Sequence, residues 1–411
     1  MAVDHFSTLD SIIARNSAEQ IEFLQALVRA KSANPYTVDK STPDSGIEKE
    51  MATVIAAQLR AIGLEPTLIG ASPERPNVVA TLQGAANSGK TLALNGHMDT
   101  VMPSKQWTMD PFGATIVGNR LYGLGVLDMK ASLAVFIYAA KALLEAGIAL
   151  GGDLLLTFAV DEEPGGASPY GTNYLLDHGL TATTAIVAEP GLDNVTIGHR
   201  GGYRFKITVR GQAAHTGSLQ WERRELGKNA IAAMGDVITA LRDLEIPSQP
   251  AAAFPGRKSV FTFPTLIQGG ATINTVPEEC IAYGDSRLMP GNNEAQLEGL
   301  IRERLDRIEG LDYSLDKLLF VPAVQIATDE PIVQILKGRT QEIAGITPTT
   351  EGCGPWNDGW MFISRGIPAI CGFGPAGAGV HAADEYVELD SFIATTRIFV
   401  RAIIDYLGVA E

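Results

Sequence analysis

The sequence predicts an α/β domain with a mostly parallel central sheet, interrupted by a smaller inserted α+β unit. Three observations carry this. From Ser7 to Ile197, helical periodicity alternates with short apolar strands, several of which stop at an acid or a histidine. From Tyr203 onward the order changes to strand, helix, two strands, helix and a return strand, the β-α-β-β-α-β arrangement of a ferredoxin-like unit. After Pro322 the first pattern resumes. The division is therefore 1–197 and 319–411 for the discontinuous domain and 198–318 for the insert. A length of 411 residues suits two cores better than one.

The elements follow in order. Leu9, Ile12, Ile13, Ile21, Leu24, Leu27 and Val28 recur at helical spacing, and Glu48 to Ile62 repeats the pattern, closed by Gly63. A Ser-, Pro- and Asp-rich loop, 32–46, separates these two helices. Asn77 to Leu82 and Thr91 to Asn95 read as a hairpin or neighbouring strand pair, and Ile116 to Tyr122 as a hairpin turning at Gly118-Asn119. Ala131 to Ala146 is a long apolar helix, Leu154 to Val160 a buried strand, Tyr170 to His178 a helix and Ala185 to Ala188 a strand. In the insert, Tyr203 to Arg210 alternates as a half-exposed strand, Arg224 to Leu241 and Glu294 to Arg307 are helical, and Val260 to Gln268 and Ile281 to Leu288 are strands. Helices at Ile332 to Ala344 and Phe392 to Leu407 flank a last strand, Ala369 to Phe373.

A formal net charge of −15 without a dense basic run argues against nucleic-acid binding, which needs clustered Lys and Arg. No apolar run is long enough to span a bilayer, and the start of the chain does not read as a secretion signal. Cys280, Cys353 and Cys371 form no metal or disulfide spacing, which points to a reducing cytoplasm.

The chemistry gathers at the strand ends. Leu92 to Asn95 is an apolar run followed by Gly96-His97-Met98-Asp99, and alternate residues of an extended segment share a face, so His97 and Asp99 point to one site. Alone, the pair reads first as a buried histidine beside an acid. The companions are Asp128 after Gly123-Leu-Gly125, Glu163 in Asp161-Glu162-Glu163, Glu189 before Pro190, and His381 in Gly-Val-His-Ala-Ala-Asp-Glu385. Imidazoles and carboxylates converging from several strand ends suit a pair of zinc-type metals, with a short carboxylate such as Asp128 shared between them. Glu162, beside a ligand but pointing elsewhere, is then free to act as a base. Gly123-Leu-Gly125 is not a nucleotide loop, because Asp128 would repel a pyrophosphate there. Trp107, Trp221, Trp356 and Trp360 fall in loops, where packing and a pocket for a bulky acyl group are both open readings.

The ordered set resembles the co-catalytic zinc amidase and peptidase family of aminoacylase-1, acetylornithine deacetylase, succinyl-diaminopimelate desuccinylase and the glutamate carboxypeptidases. The matching pieces run through the chain, adding Gly211-x-Ala-Ala-His215, Asn274-Thr-Val-Pro, Asp285-x-Arg287 and Gly372-x-Gly374-Pro. The resemblance implies a zinc-exopeptidase-like catalytic domain and a lid or dimerisation insert. It implies two Zn2+ ions, with Co2+ or Mn2+ as substitutes. Asp128 would bridge them, with His97 and Glu189 on one metal and Glu163 and His381 on the other. Glu162 would be the general base and Asp99 would orient the His97 ring. A homodimer formed through the insert would lend His215 to the site of the partner subunit, while Asn274 and Arg287 would bind polar substrate groups. Arg287 is equally a sheet ion pair with Asp285. Ala131 stands where relatives usually carry glycine, with no ligand lost. The implied reaction is hydrolysis of an N-acyl amino acid or related small amide by a metal-bridged hydroxide. The alternatives are a dipeptidase or carboxypeptidase, and a catalytically silent binding protein on the same scaffold.

Overall fold

The computed structural model describes residues 5–35, 46–86, 88–164 and 169–410. Most of the expected loop 32–46 lies outside them. Contacts divide the chain into two compact units, one of Arg200–Val324 and one of the remainder on either side. The expected insert, 198–318, stops inside a strand that continues to Val321.

The larger unit opens with helices α1 (His5–Arg29) and α2 (Lys49–Ala61), strands β1 (Thr67–Ile69), β2 (Asn77–Leu82), β3 (Thr91–His97), β4 (Thr115–Val117) and β5 (Arg120–Tyr122), and helix α3 (Ala131–Glu145). It continues through β6 (Asp153–Ala159), α4 (Thr172–Asp177), β7 (Thr184–Val187) and β8 (Gly198–His199). Its sheet has the order β1-β2-β6-β3-β7, with one further strand beyond β7. β3 runs parallel to both β6 and β7. Parallel central strands are covered on both faces, which is why β3 and β6 are buried along almost their whole length. α3 is buried on nearly every side, and its apolar residues are correspondingly not confined to one stripe.

One expectation fails here. β2 and β3 are not paired; β6 lies between them, antiparallel to β2. The connector crosses the start of β6, where the Gly84 N–H donates to the Asp153 carboxylate at 2.8 Å. Adjacency in sequence suggested a hairpin, whereas double-sided burial reserves the place beside β3 for another strand of the core.

The smaller unit comprises β9 (Gly201–Arg210), β10 (Ala214–His215), α5 (Leu219–Glu222), α6 (Ala230–Leu241), β11 (Val260–Gly269), β12 (Thr275–Val276), β13 (Glu279–Leu288), α7 (Glu294–Leu305) and β14 (Tyr313–Val321). Its main sheet is β11-β13-β9-β14, antiparallel throughout. With α6 and α7 this is the β-α-β-β-α-β unit expected from the sequence. Tyr203, Phe205, Ile207 and Val209 of β9 pack with Met234, Val237, Leu297 and Ile301 of the two helices.

The chain then adds β15 (Val324–Gln325), α8 (Pro331–Ala344), α9 (Gly359–Ile363), β16 (Ala369–Ile370), β17 (Gly377–Ala378), β18 (Tyr386–Glu388) and α10 (Leu389–Leu407). β16 completes the large sheet, parallel to β7. Met361 and Phe362 of α9 pack with Ala93, Leu155, Ala185 and Val187 from the strands. β17 and β18 join β5 and β4 in a separate small sheet.

Candidate metal centre

β3, β6 and β7 deliver His97, the Asp161-Glu162-Glu163 loop and Glu189 at the carboxyl ends of neighbouring parallel strands, where α/β sheets place their sites. Gly96 precedes His97 because a Cβ there would lie 2.6 Å from Leu133 and 2.7 Å from Met129. Its absence lets the turn that carries Asp128 close on the strand.

That turn is a π turn, Val126–Lys130, with a cis Asp128–Met129 peptide. Gly125 enters it at φ +69°. Each Asp128 oxygen faces a different imidazole: Oδ1 lies 3.2 Å from His97 Nε2 and Oδ2 lies 3.4 Å from His381 Nε2. His381, between β17 and β18, also places Nε2 3.1 Å from Glu163 Oε2. Two sets of donor atoms, His97/Asp128/Glu189 and Asp128/Glu163/His381, each converge within 4.8 Å. They share Asp128. The fit to a cation is supported by Glu163 Oε1, which is buried without a hydrogen-bond partner among the described residues.

The charges point the same way. Burial pushes the Glu162 carboxyl well above the usual range, and Glu189 and Glu163 beside it add to that. Glu189 is raised by burial and by Asp128, and Glu163 by burial against the opposing bond to His381. Burial works against charging His97, but its bonds to Asp128 and Asp99 prevail and raise its pKa. Hydrogen bonds to Asp128 and Glu163 push His381 up to about 10. Asp128, despite burial, is held below its ordinary value by the two histidines. Protons on the imidazoles thus balance crowded carboxylates, a task that divalent cations perform better.

Asp99 acts through more than its carboxylate. His97 Nδ1 donates to the Asp99 main-chain carbonyl at 2.9 Å, while the nearer carboxylate oxygen is 3.6 Å away. The carboxylate accepts instead from the Glu162 N–H at 3.0 Å, the Glu163 N–H at 3.2 Å and Asn34 Nδ2 at 3.0 Å.

Beneath this lies a network that sequence reasoning missed. Arg75, fully buried, pairs with Glu48 through Nε at 2.6 Å and with Asp161 at 2.7 Å, and Asn34 Nδ2 also bonds Asp161 at 2.9 Å. Glu48, Asp99 and Asp161 form a third convergent acidic group, but the guanidinium and the Asn34 amide already serve it. Asp358, buried near Glu162, accepts from Thr172 Oγ1, and burial pushes its carboxyl up to about 6. Apart from Asp161, which belongs to the acidic triplet, no local pattern marked these residues, because their partners are far away in sequence.

His215, Asn274 and Arg287 belong to the smaller unit. β10 pairs with β12, placing His215 opposite Thr275, and the Thr216 N–H donates to the Asn274 carbonyl at 3.0 Å. His215 is exposed, and its Nδ1 accepts the Gly217 N–H at 3.1 Å, which assigns the proton of a neutral ring to Nε2. Arg287 Nε bonds Asp285 at 2.8 Å, and Asp285 also meets Arg204 on β9 at 3.2 Å, the sheet ion pair that the spacing allowed. Of the tryptophans, Trp360 packs on the Met361/Phe362 cluster and Trp356 is buried.

The model of peptidase family M20/M25/M40 matches residues 93–405. The N-formyl-4-amino-5-aminomethyl-2-methylpyrimidine deformylase of Halalkalibacterium halodurans is 27% identical, over 97% of this chain and 98% of its own. The succinyl-diaminopimelate desuccinylase of Bordetella bronchiseptica is 29% identical, over 88% and 93%. Among solved structures, the di-peptidase Dug1p of Saccharomyces cerevisiae superposes with a TM-score of 0.77 at 13% identity, covering 100% of both chains. The metallo-carboxypeptidase Sso-CP2 of Sulfolobus solfataricus gives 0.75 at 17%, covering 95% and 99%. Together these define a metal-dependent hydrolase of amide or peptide bonds. The chain belongs to peptidase family M20/M25/M40.

Proposed function

We propose that this enzyme is a two-zinc deacylase that hydrolyses an N-acyl amino acid or related small amide, with Co2+ or Mn2+ able to replace Zn2+. The observation that carries the paired site is Asp128, whose two oxygens face His97 and His381 separately. His97, Asp128 and Glu189 would hold one metal, and Asp128, Glu163 and His381 the other. When bound, the metals supply Lewis-acid polarisation and acidify water.

The protein supplies the rest. Glu162 takes a proton from the attacking water as the C–O bond forms. It returns that proton to the nitrogen as the C–N bond breaks, releasing a carboxylate and an amine. Its elevated pKa, caused first by burial, suits both directions. Asp99 registers the His97 ring and the Glu162 loop together.

His215 is read as the donor to the developing oxyanion, supplied across a homodimer to the active site of the partner subunit. Its exposed ring with the proton on Nε2 supports that role. The dimer reading is supported by β11, an edge strand with Leu266 and Ile267 52% and 46% exposed, and by Ile231 on α6, 42% exposed. Asn274, next to His215, is read as the polar substrate contact; Arg287, whose Nε is held by Asp285 at 2.8 Å, is read as a second contact, for a substrate carboxylate. Among the described residues no disulfide joins Cys280, Cys353 and Cys371, which suits a reducing cytoplasm.

Deacylation is favoured by the relatives named as deformylase and desuccinylase. A dipeptidase or carboxypeptidase shares the ligands and is favoured by the structural neighbours. A panel of N-acyl amino acids and dipeptides, assayed with added zinc, separates the two. Higher kcat/KM on dipeptides overturns the deacylase reading, and activity untouched by exhaustive chelation overturns the metal.

A further inference from the structure

The loop that carries His381 ends in two acids. Asp384 Oδ2 accepts from Thr108 Oγ1 at 2.7 Å and Oδ1 from the Thr108 N–H at 3.0 Å, tying the loop to the segment after β3. Glu385 turns inward and is 1% exposed. Its Oε2 accepts the Gly125 N–H at 2.8 Å, and its Oε1 accepts those of Leu127 at 2.8 Å and Asp128 at 3.0 Å. Its own carbonyl accepts the Gly123 N–H at 3.0 Å. The π turn thus forms a nest of convergent N–H groups, and Glu385 fills it with a carboxylate.

The consequence is a direct tie between the Asp128 turn and the His381 loop. His97 and Glu189 leave neighbouring parallel strands, so the sheet itself fixes their spacing. His381 has no such support; it follows two-residue β17 and has φ +58°. We infer that Glu385 is a positioning residue for the metal pair. It sets the spacing of Asp128 and His381 and so governs affinity at the Asp128/Glu163/His381 position selectively. This rests on the two-metal reading above.

The test is cobalt titration of the full chain after chelation, read by metal content and by the visible Co2+ absorption, on wild type, Glu385→Gln and Glu385→Asp. Gln keeps the shape but removes the charge and turns one acceptor into a donor facing an N–H. Supporting residues behind metal ligands typically change affinity by about 10–100-fold. The expected result is a first cobalt bound as in wild type and a second bound about 10–100-fold more weakly in Glu385→Gln. Glu385→Asp should give a smaller loss, and it carries the test if the Gln variant does not fold. A lowered Tm with both affinities unchanged would make Glu385 merely structural and overturn the inference. Equal weakening of both sites would overturn its selectivity. Fewer than two cobalt ions on wild type would overturn the two-metal reading, and this inference with it.

Discussion

Asp99 accepts the main-chain N–H of Glu162 through its carboxylate at 3.0 Å and the His97 ring N–H through its own carbonyl at 2.9 Å, so one residue ties the proposed ligand to the proposed base. The same carboxylate takes the Glu163 N–H at 3.2 Å. Replacing Asp99 with Asn presents a donor to one of these N–H groups. We expect kcat/KM and zinc affinity both to fall by about 10–100-fold, as for other residues that support ligands. Wild-type values for both would refute the link.

Glu162 has a different signature. Glu162→Gln leaves every proposed ligand in place, so zinc content should stay at the wild-type level while kcat falls by about 10²–10⁴-fold. Loss of zinc together with activity would reassign Glu162 from base to ligand.

The stability of the metal-free protein should fall as pH rises. Glu162, Glu163 and Glu189 have folded pKa values above their ordinary 4.5, so ionising them above that pH disfavours the fold. His381, raised from 6.5 to about 10, adds stability that is complete below 6.5 and lost as pH climbs toward 10. Asp99 and Asp128 are lowered from 3.8, and their stabilisation is lost only when pH falls below that value. Between about pH 5.5 and about pH 8.5 the net effect should therefore lower the Tm of chelated protein, and the Tm gain on adding zinc should grow. A zinc-induced shift that shrinks with pH would contradict this charge balance.

Arg75 is a stability determinant beneath the site. Arg75→Met strands Glu48 and Asp161, both essentially inaccessible, and breaking a buried pair this way costs about 3–5 kcal/mol. Arg15, 65% exposed and paired with Glu145, is the contrast, and its replacement should change stability by less than about 1 kcal/mol. Urea unfolding of the two variants measures both, and equal effects would contradict the buried network.

The convergence of the proposed ligands was legible where a residue interrupts a local pattern: His97 ends an apolar strand and Glu189 follows another. Apart from Asp99, the supporting residues were not. Arg75 lies in Pro-Glu-Arg-Pro, which carries no strand or helix periodicity, and it is fully buried. Glu385 stands in the sequence only as the end of the His381 segment, and the return of β18 to β5 brings it under the Asp128 turn. The place of β6 between β2 and β3 was hidden for a similar reason, since strand order depends on which strands are buried on both faces.

The larger unit is left and re-entered at adjoining points, where the Ile326 N–H donates to the Ile197 carbonyl at 2.8 Å. Whatever lies between those points begins and ends at one place, so its length bears only weakly on the host, with each doubling of a flexible loop costing roughly 0.6 kcal/mol. A guest segment attached in this way can change in length while the strands that carry His97, Glu189 and the 161–163 loop keep their register.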